Sequence, residues 1–344
     1  MDHKLIMRRC LDLAGLGAGQ VAPNPMVGCV IVHQGKVIGE GFHQQYGEAH
    51  AEVNAINSVN DPSLLSKSTL YVNLEPCAHF GKTPPCAHLI IEHQIPKVVI
   101  GCSDSFEEVN GAGIAYLKEH GVNVKAFVME EECRHFNRRF FTFHEKKSPY
   151  VILKWAQSLD GYIDALRGIN DKGVHWISSP ESKRLTHRWR SEEAAILVGT
   201  NTALTDNPSL TVREYPGRNP LRILIDRELK VATSAAIFNS EAPTLIFNER
   251  KEGVEDHLTY IKVDFSRLVN EVLKDLYKRN IQSVIVEGGA KTLNSFIETY
   301  LWDEARVLTG NVHLGQGLPA PKLEGNLAES TFFGTDRIDL FFRP

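Results

Sequence analysis

Two runs of alternating strand and helix signals, separated by a single break, limit the architectures open to this chain. The first run starts with a helical apolar pattern, Leu5, Met7, Leu11, Leu13 and Leu16, that stops in glycines at 15–19. An apolar, β-rich stretch over 26–32 then turns at Gln34-Gly35 into Lys36-Val37-Ile38-Gly39. A helix over 48–57, a strand over 69–74 and a helix opening near Cys86 follow, then a strand over 98–102, a helix over 114–119 and a strand over 124–128. The pattern breaks at 138–149, Arg-Arg-Phe-Phe-Thr-Phe-His-Glu-Lys-Lys-Ser-Pro, which divides the chain into domains 1–147 and 148–344. Beyond it come strands over 150–155, 194–198, 222–226, 244–247 and 283–287, with helices over 180–191, 266–279 and 292–300. Alternation of this kind predicts an α/β fold with helices layered on a sheet in each half. A chain of 344 residues is long for one core, so two are expected.

Charge and cysteine content narrow the setting. The formal net charge is -4, so no global field attracts a phosphodiester backbone, and a small-molecule substrate is expected in place of nucleic acid. No apolar run is long enough to cross a membrane, and the first residues, Met1-Asp2-His3-Lys4-Leu5-Ile6, lack the apolar core of a signal peptide. Cys10, Cys29 and Cys102 fall in apolar helix or strand patterns that suit buried free thiols, and six cysteines do not make a disulfide framework in a chain this long. A reducing cytoplasm is the expected compartment, and a homo-oligomer, dimer or tetramer, the expected assembly.

Chemistry concentrates in the first half, in His50-Ala51-Glu52, Pro76-Cys77 and Cys86. One imidazole and two thiols supply three ligands to a tetrahedral zinc and leave one position for water, as a catalytic site requires. Water held there loses its proton near neutral pH. Glu52, on the opposite side of the turn from His50, is placed to shuttle protons and not to ligate. The arrangement matches the first half of the zinc deaminase signature H-x-E…P-C-x-x-C, but the cysteines here stand as C-x8-C. His79, between them, is an alternative ligand. Lys82 and Thr83 are candidates to hold a substrate's phosphate or ring, and His43 lies on the loop leading into the site.

The second half is less explicit. Glu287-Gly288-Gly289-Ala290 follows an apolar strand and precedes a helix, a turn that lets backbone approach a pyrophosphate. It is not a G-x-G-x-x-G fingerprint, and neither is Gly15-Leu16-Gly17-Ala18-Gly19, which ends a helix. Lys154 sits among apolar strand residues, where an unpaired ammonium is costly, so a partner or ligand is implied, with Glu287 as candidate.

These residues resemble the bifunctional riboflavin-biosynthesis deaminase–reductase family. The resemblance is carried by Pro23-Asn24-Pro25, Val27-Gly28-Cys29-Val30-Ile31-Val32, Gly41-Phe42-His43, His50-Ala51-Glu52-Val53, Leu74-Glu75-Pro76-Cys77 and Gly81-Lys82-Thr83-Pro84-Pro85-Cys86. The last is the most discriminating, because generic cytidine and tRNA-adenosine deaminases place their cysteines closer together. In the second half the match runs through Leu153-Lys154, Ser158-Leu159-Asp160-Gly161, Trp176-Ile177-Ser178-Ser179, Asp206-Asn207-Pro208, Leu210-Thr211-Val212-Arg213 and Val286-Glu287-Gly288-Gly289.

The resemblance implies a cytidine-deaminase-like three-layer domain followed by a dihydrofolate-reductase-like α/β domain. It implies one Zn2+ per chain on His50, Cys77 and Cys86, Glu52 as proton shuttle, and Asn24, His43 and Lys82 against substrate. In the reductase half it places Ala156, Trp176, Thr202, Asp206, Gly288 and Gly289 against NADPH. It places Arg190, Leu210, Arg213 and Glu287 against substrate, the arginines suiting a phosphate. Lys154, held by Glu287, would polarise the sugar carbonyl as hydride arrives. Arg227, beside Asp226, is a candidate cation for the 2′-phosphate of NADPH.

Three departures stand out. Asp104-Ser105-Phe106-Glu107, before Gly111-Ala112-Gly113, replaces the family's Asp-Pro-Asn-Pro; the stretch from Gly161 to Trp176 is longer than usual; and Val174 stands where related chains often carry a serine. Two alternative readings remain at this point: an active deaminase whose C-terminal domain only binds nucleotide, and a nucleic-acid-binding or editing module.

Overall fold

The computed structural model describes residues 2–78, 85–105, 111–168 and 172–344. It divides into two compact units, Met1–Lys147 and Ser148–Pro344. The first contains, in chain order, α1 (His3–Gly15), β1 (Gly28–His33), β2 (Lys36–Phe42), α2 (Ala51–Asn57), β3 (Thr69–Leu74), α3 (Cys86–Glu92), β4 (Lys97–Cys102), α4 (Ala112–Glu119), β5 (Asn123–Lys125), α5 (Glu130–Phe136) and α6 (Arg138–Lys146). Its sheet runs β2-β1-β3-β4-β5. The β1 strand is antiparallel to β2 and β3, whereas β3, β4 and β5 are mutually parallel.

Residue parity shows why this sheet is the middle of three layers. Cys29, Ile31, Leu70, Val72, Val98 and Ile100 pack with Ala51 and Ala55 of α2, Ile90 of α3 and Leu117 of α4. The intervening residues Val30, Val32, Tyr71 and Val99 pack with Met7, Cys10 and Leu13 of α1, Cys133 of α5, and Phe140 and Phe141 of α6. A sheet covered on both faces reads as a continuous apolar run, as β1 does. All six cysteines are free thiols.

Several element limits differ from expectation. The second helix starts at Ala51 and not at 48, so His50 is its N-cap, in extended backbone. The stretch around 138–146 is not a break but helix α6, which buries Phe140, Phe141 and Phe143; the basic residues at its ends masked its apolar face. The chain leaves it through Lys147 in the left-handed conformation.

The second unit contains β6 (Tyr150–Gln157), β7 (Tyr162–Ala165), α7 (Pro180–Glu192), β8 (Ala195–Gly199), α8 (Thr200–Asp206), β9 (Leu221–Ile225), β10 (Thr244–Asn248), β11 (Gly253–Glu255) and β12 (Leu258–Lys262). It continues through α9 (Leu268–Lys278), β13 (Ser283–Glu287), α10 (Ala290–Glu298), β14 (Glu304–Thr309), β15 (Gly317–Pro319), β16 (Asn326–Phe333) and β17 (Asp336–Phe342). Ten strands form one sheet, β11-β12-β10-β9-β8-β13-β6-β14-β17-β16, while β15 and β7 pair separately. The central strands β12 to β14 are parallel, and antiparallel pairs at the ends come from β11, β17 and β16.

Parity again assigns faces. Val151, Leu153 and Trp155 of β6 and Val284 and Val286 of β13 join the core closed by α9 and α10. Tyr150, Ile152 and Ile285 face the other way, against Trp189 of α7. Lys154 and Glu287 continue that second series, so α7 passes over both. Helix α7 begins where Ser179 accepts a hydrogen bond from the Ser182 amide, with Pro180 in its first turn.

Candidate active sites

In the first unit, two helix starts bring three soft donors together. His50 caps α2 and Cys86 is the first residue of α3, while Cys77 lies three residues beyond β3. The nitrogen and sulfur atoms of His50, Cys77 and Cys86 all lie within 4.8 Å of one another. His50 Nδ1 is 3.3 Å from Cys86 Sγ and 3.6 Å from Cys77 Sγ. The Cys86 amide donates to Cys77 Sγ at 3.3 Å. Hydrogen bonding from Cys86, and then from His50, outweighs burial and holds the Cys77 thiol down to about 4. Two thiols and an imidazole gathered this closely are a donor set that fits zinc.

Glu52 is buried in the first turn of α2, next to this cluster. Burial pushes its carboxyl above the usual carboxylate range, against the opposing pull of His50. A carboxyl raised in this way suits proton transfer near neutral pH.

His43 is oriented by the bonds it makes. Its Nδ1–H donates to the Ala49 carbonyl at 3.0 Å, which leaves Nε2 to accept from Asn24 Nδ2 at 3.1 Å. The rings of His43 and His50 meet edge to face, 5.6 Å apart. Asn24, His43, His50 and Glu52 thus converge. Lys82, together with His79 and Thr83, lies outside the described residues, as do Phe106 and Glu107 of the departing loop.

Two polar residues with no role assigned from sequence build this site from behind. Glu75 is buried, and its carboxylate accepts from the amides of Asp104, Gly111, Gly113 and Ile114 at 2.9–3.1 Å. It thereby ties the β3 end that leads to Cys77 to the start of α4. Gly113 is required there, because a Cβ would stand 2.0 Å from the Pro76 carbonyl oxygen. Asn73 accepts from the Gly28 amide at 2.8 Å and donates to the Met26 carbonyl at 3.1 Å, anchoring the chain that leaves Asn24.

In the second unit a cavity of about 650 Å³ opens beside the ends of β6, β8 and β13. Lys154, Ala156, Trp176, Arg190, Thr202, Asp206, Leu210, Arg213, Glu287, Gly288 and Gly289 all line it. Lys154 and Glu287 are register partners on the parallel strands β6 and β13. The close partner of Glu287, however, is Arg190, which donates through Nε at 3.2 Å and Nη2 at 2.6 Å. Burial lowers the Lys154 ammonium from its ordinary value, with Glu287 opposing and Arg190 reinforcing the shift. Gly288 and Gly289 have φ of +108° and +42°, which turns the chain sharply from β13 into α10.

Of the residues expected here, Arg227 is the exception. It is not among the residues lining the cavity, and its Nε pairs with Glu249 at 2.8 Å on an exposed surface. The cavity also takes residues that were not singled out, including Lys183, Thr186 and His187 of α7. The signal for them was present, since they lie seven, four and three positions before Arg190 and share its helix face. Asp164, Arg167 and His175 contribute as well, with Arg167 Nη2 reaching Asp164 at 3.1 Å and Asp206 at 3.4 Å.

Residues 1–102 match the cytidine and deoxycytidylate deaminase zinc-binding region, and residues 149–338 match the RibD C-terminal domain. The riboflavin biosynthesis protein RibD of Aquifex aeolicus is 39% identical over 321 residues, covering 92% of this chain and 88% of that one. That of Bacillus amyloliquefaciens is 39% identical over 327 residues, covering 92% and 86%. A solved diaminohydroxyphosphoribosylaminopyrimidine deaminase/5-amino-6-(5-phosphoribosylamino)uracil reductase from Thermotoga maritima is 35% identical, with a TM-score of 0.90 and 99% of both chains covered.

The chain belongs to the RibD family. As a RibD-family enzyme it joins a zinc-dependent deaminase domain to an NADPH-dependent reductase domain, and its substrate is a phosphorylated pyrimidine. The fold and the donor cluster agree with that membership, and nothing favours an editing module or a degenerate reductase. Among the described residues no helix is long and apolar enough to cross a membrane.

Proposed function

We propose that residues 1–147 remove the 2-amino group of 2,5-diamino-6-(5-phosphoribosylamino)pyrimidin-4-one and that residues 148–344 reduce the resulting uracil's ribosyl group to ribityl. The observation that carries the first step is the cluster of His50, Cys77 and Cys86 beside the buried carboxyl of Glu52. His50, Cys77 and Cys86 hold zinc. When bound, the metal supplies a water acidic enough to attack at neutral pH. Glu52 would take a proton from the attacking water and return a proton to the amino group, which leaves as ammonia as its bond to the ring carbon breaks. Asn24 and His43, fixed to each other, hold the ring, and Lys82 engages the substrate from the segment between the cysteines.

In the second unit NADPH, when bound, would supply a hydride. Ala156, Trp176, Thr202, Asp206 and the turn at Gly288-Gly289 hold the cofactor along the cavity, with Arg227 outside this set. Lys154 would give a proton to the ribose ring oxygen as the bond from that oxygen to the anomeric carbon breaks and the carbon takes up hydride. Glu287 keeps Lys154 protonated and oriented, and Arg190 fixes Glu287. Arg190, Leu210 and Arg213 seat the rest of the substrate, the arginines at its phosphate. The protein works in the cytoplasm as a homo-oligomer on a small-molecule substrate, and the net charge of -4 supports a site that does not take nucleic acid.

A coupled assay on the full chain tests both steps. Supplied with the diaminopyrimidinone and NADPH, it should release ammonia and oxidise NADPH in equal amounts. Ammonia without NADPH oxidation would reject the reductase assignment, and NADPH oxidation only with pre-deaminated substrate would reject the deaminase assignment.

A further inference from the structure

His187 lines the cavity together with Arg190 and Arg213, yet no role follows for it from the steps above. It sits on α7, one turn before Arg190, and is almost fully buried. Its Nδ1 accepts the backbone N–H of Arg213 at 3.2 Å. An imidazole that accepts through Nδ1 carries its proton on Nε2 when neutral. Burial, reinforced by Arg190 and Arg213, lowers its pKa to about 4, so the ring is neutral at the pH of the cell. The ring therefore presents one N–H donor beside two guanidinium groups, and its other nitrogen holds one of those arginines in place. The Arg213 side chain is steadied by its own neighbours, with Nη1 donating to Thr211 Oγ1 at 3.1 Å.

We propose that His187 is a phosphate ligand of the reductase site, its Nε2–H donating to the phosphate group of the substrate between Arg190 and Arg213. This rests on the reading that those arginines seat the phosphate. Three considerations support the assignment. A phosphate dianion offers more acceptor positions than two arginines fill when one of them, Arg190, already gives Nε and Nη2 to Glu287. A neutral donor adds a hydrogen bond without adding another cation to a cavity that already contains Lys154, Arg167, Lys183, Arg190 and Arg213. Finally, the Arg213 N–H bond couples the imidazole to the loop that carries Arg213, so the two donors are set in fixed relation.

The test compares two substrates, 5-amino-6-(5-phosphoribosylamino)uracil and its dephosphorylated counterpart, by NADPH oxidation with the full chain. In the unaltered enzyme the phosphate should lower KM strongly. His187→Asn retains an acceptor at the Nδ1 position for the Arg213 amide but lacks the Nε2 donor. It should raise KM for the phosphorylated substrate by roughly tenfold to a hundredfold, leaving kcat, the KM for NADPH and the KM for the dephosphorylated substrate unchanged. His187→Gln, whose amide nitrogen reaches the Nε2 position, should recover part of the loss. In the unaltered enzyme, the 15N-labelled Nε2–H resonance should move downfield when the phosphorylated substrate binds and stay in place with the dephosphorylated one. An equal rise in both KM values would mean a structural role only and would overturn the proposal, as would an unmoved resonance. If the unaltered enzyme does not distinguish the two substrates, the phosphate seat at Arg190 and Arg213 is itself wrong, and His187 falls with it.

Discussion

Arg190 and Glu287 meet through two parallel hydrogen bonds, Nε to Oε1 at 3.2 Å and Nη2 to Oε2 at 2.6 Å, with both side chains nearly buried. The pair joins α7 to the end of β13 and places a carboxylate next to Lys154 in register. Burial alone would raise the Glu287 carboxyl, but Arg190, and then Lys154, bring it down to about 2. The folded value thus lies below the ordinary 4.5, so the charged pair stabilises the fold above about pH 4.5 and the contribution is lost as pH falls through 2. The full difference amounts to about 3 kcal/mol. All four tryptophans lie in the second unit, so their fluorescence reports its unfolding alone. Glu287→Gln should be less stable than the unaltered chain at pH 7, and that gap should narrow between pH 5 and pH 2. A gap independent of pH would contradict the pairing.

Lys154 is expected to act on the sugar and on nothing in the first unit. Lys154→Met keeps the bulk of the strand residue and removes its donor. NADPH oxidation should fall by at least about a hundredfold, while ammonia release from the diaminopyrimidinone is unchanged. Unaltered oxidation would remove Lys154 from the reaction.

Glu52→Gln separates proton transfer from metal binding. The variant should retain one zinc per chain by metal analysis, because Glu52 is outside the donor cluster. Ammonia release should drop by roughly a hundredfold or more. Retained release would show that another group carries the proton.

Glu75 and Gly113 should control the first site from a distance. Glu75→Gln replaces a carboxylate that accepts four amide donors, and should cost about 1–3 kcal/mol of stability in the first unit. Gly113→Ala forces a methyl against the Pro76 carbonyl, one residue from Cys77. Both variants should bind zinc less tightly, measured by competition with a chelator, and leave NADPH oxidation intact. Unchanged zinc affinity would confine Glu75 to a purely local role.

The local chemistry was readable in the chain. Thr69–Leu74, Ser283–Glu287 and the helix start at Cys86 appear where periodicity puts them, because each element's apolar spacing is a property of its own residues. The donor cluster was readable for a similar reason: few residue types bind zinc, and His50 and Cys86 fall at helix starts with Cys77 three residues beyond β3. The C-terminal strands β14 to β17 were less legible. In β14 the charged residues Glu304 and Arg306 interrupt the apolar pattern, and they are buried with partners, Arg306 pairing with Glu304 at 2.6 Å and with Glu193 at 3.3 Å while the Tyr150 hydroxyl donates to Glu304 at 3.0 Å.

By itself the sequence determined the α/β class of both halves and singled out His50, Cys77 and Cys86, which the fold gathers beside Glu52, while the family resemblance named eleven of the residues that line the second cavity. The fold class and the donor cluster follow from residue type and short-range spacing, which survive without knowledge of what lies across the sheet. Tertiary structure alone decided which groups meet. It joined Glu75 to the α4 start, gave Glu287 to Arg190 as a two-point partner, set His187 against the Arg213 amide, and left Arg227 outside. Each of these joins residues far apart in the chain, where hydrogen-bond geometry and burial depend on how strands are ordered and which helix covers them.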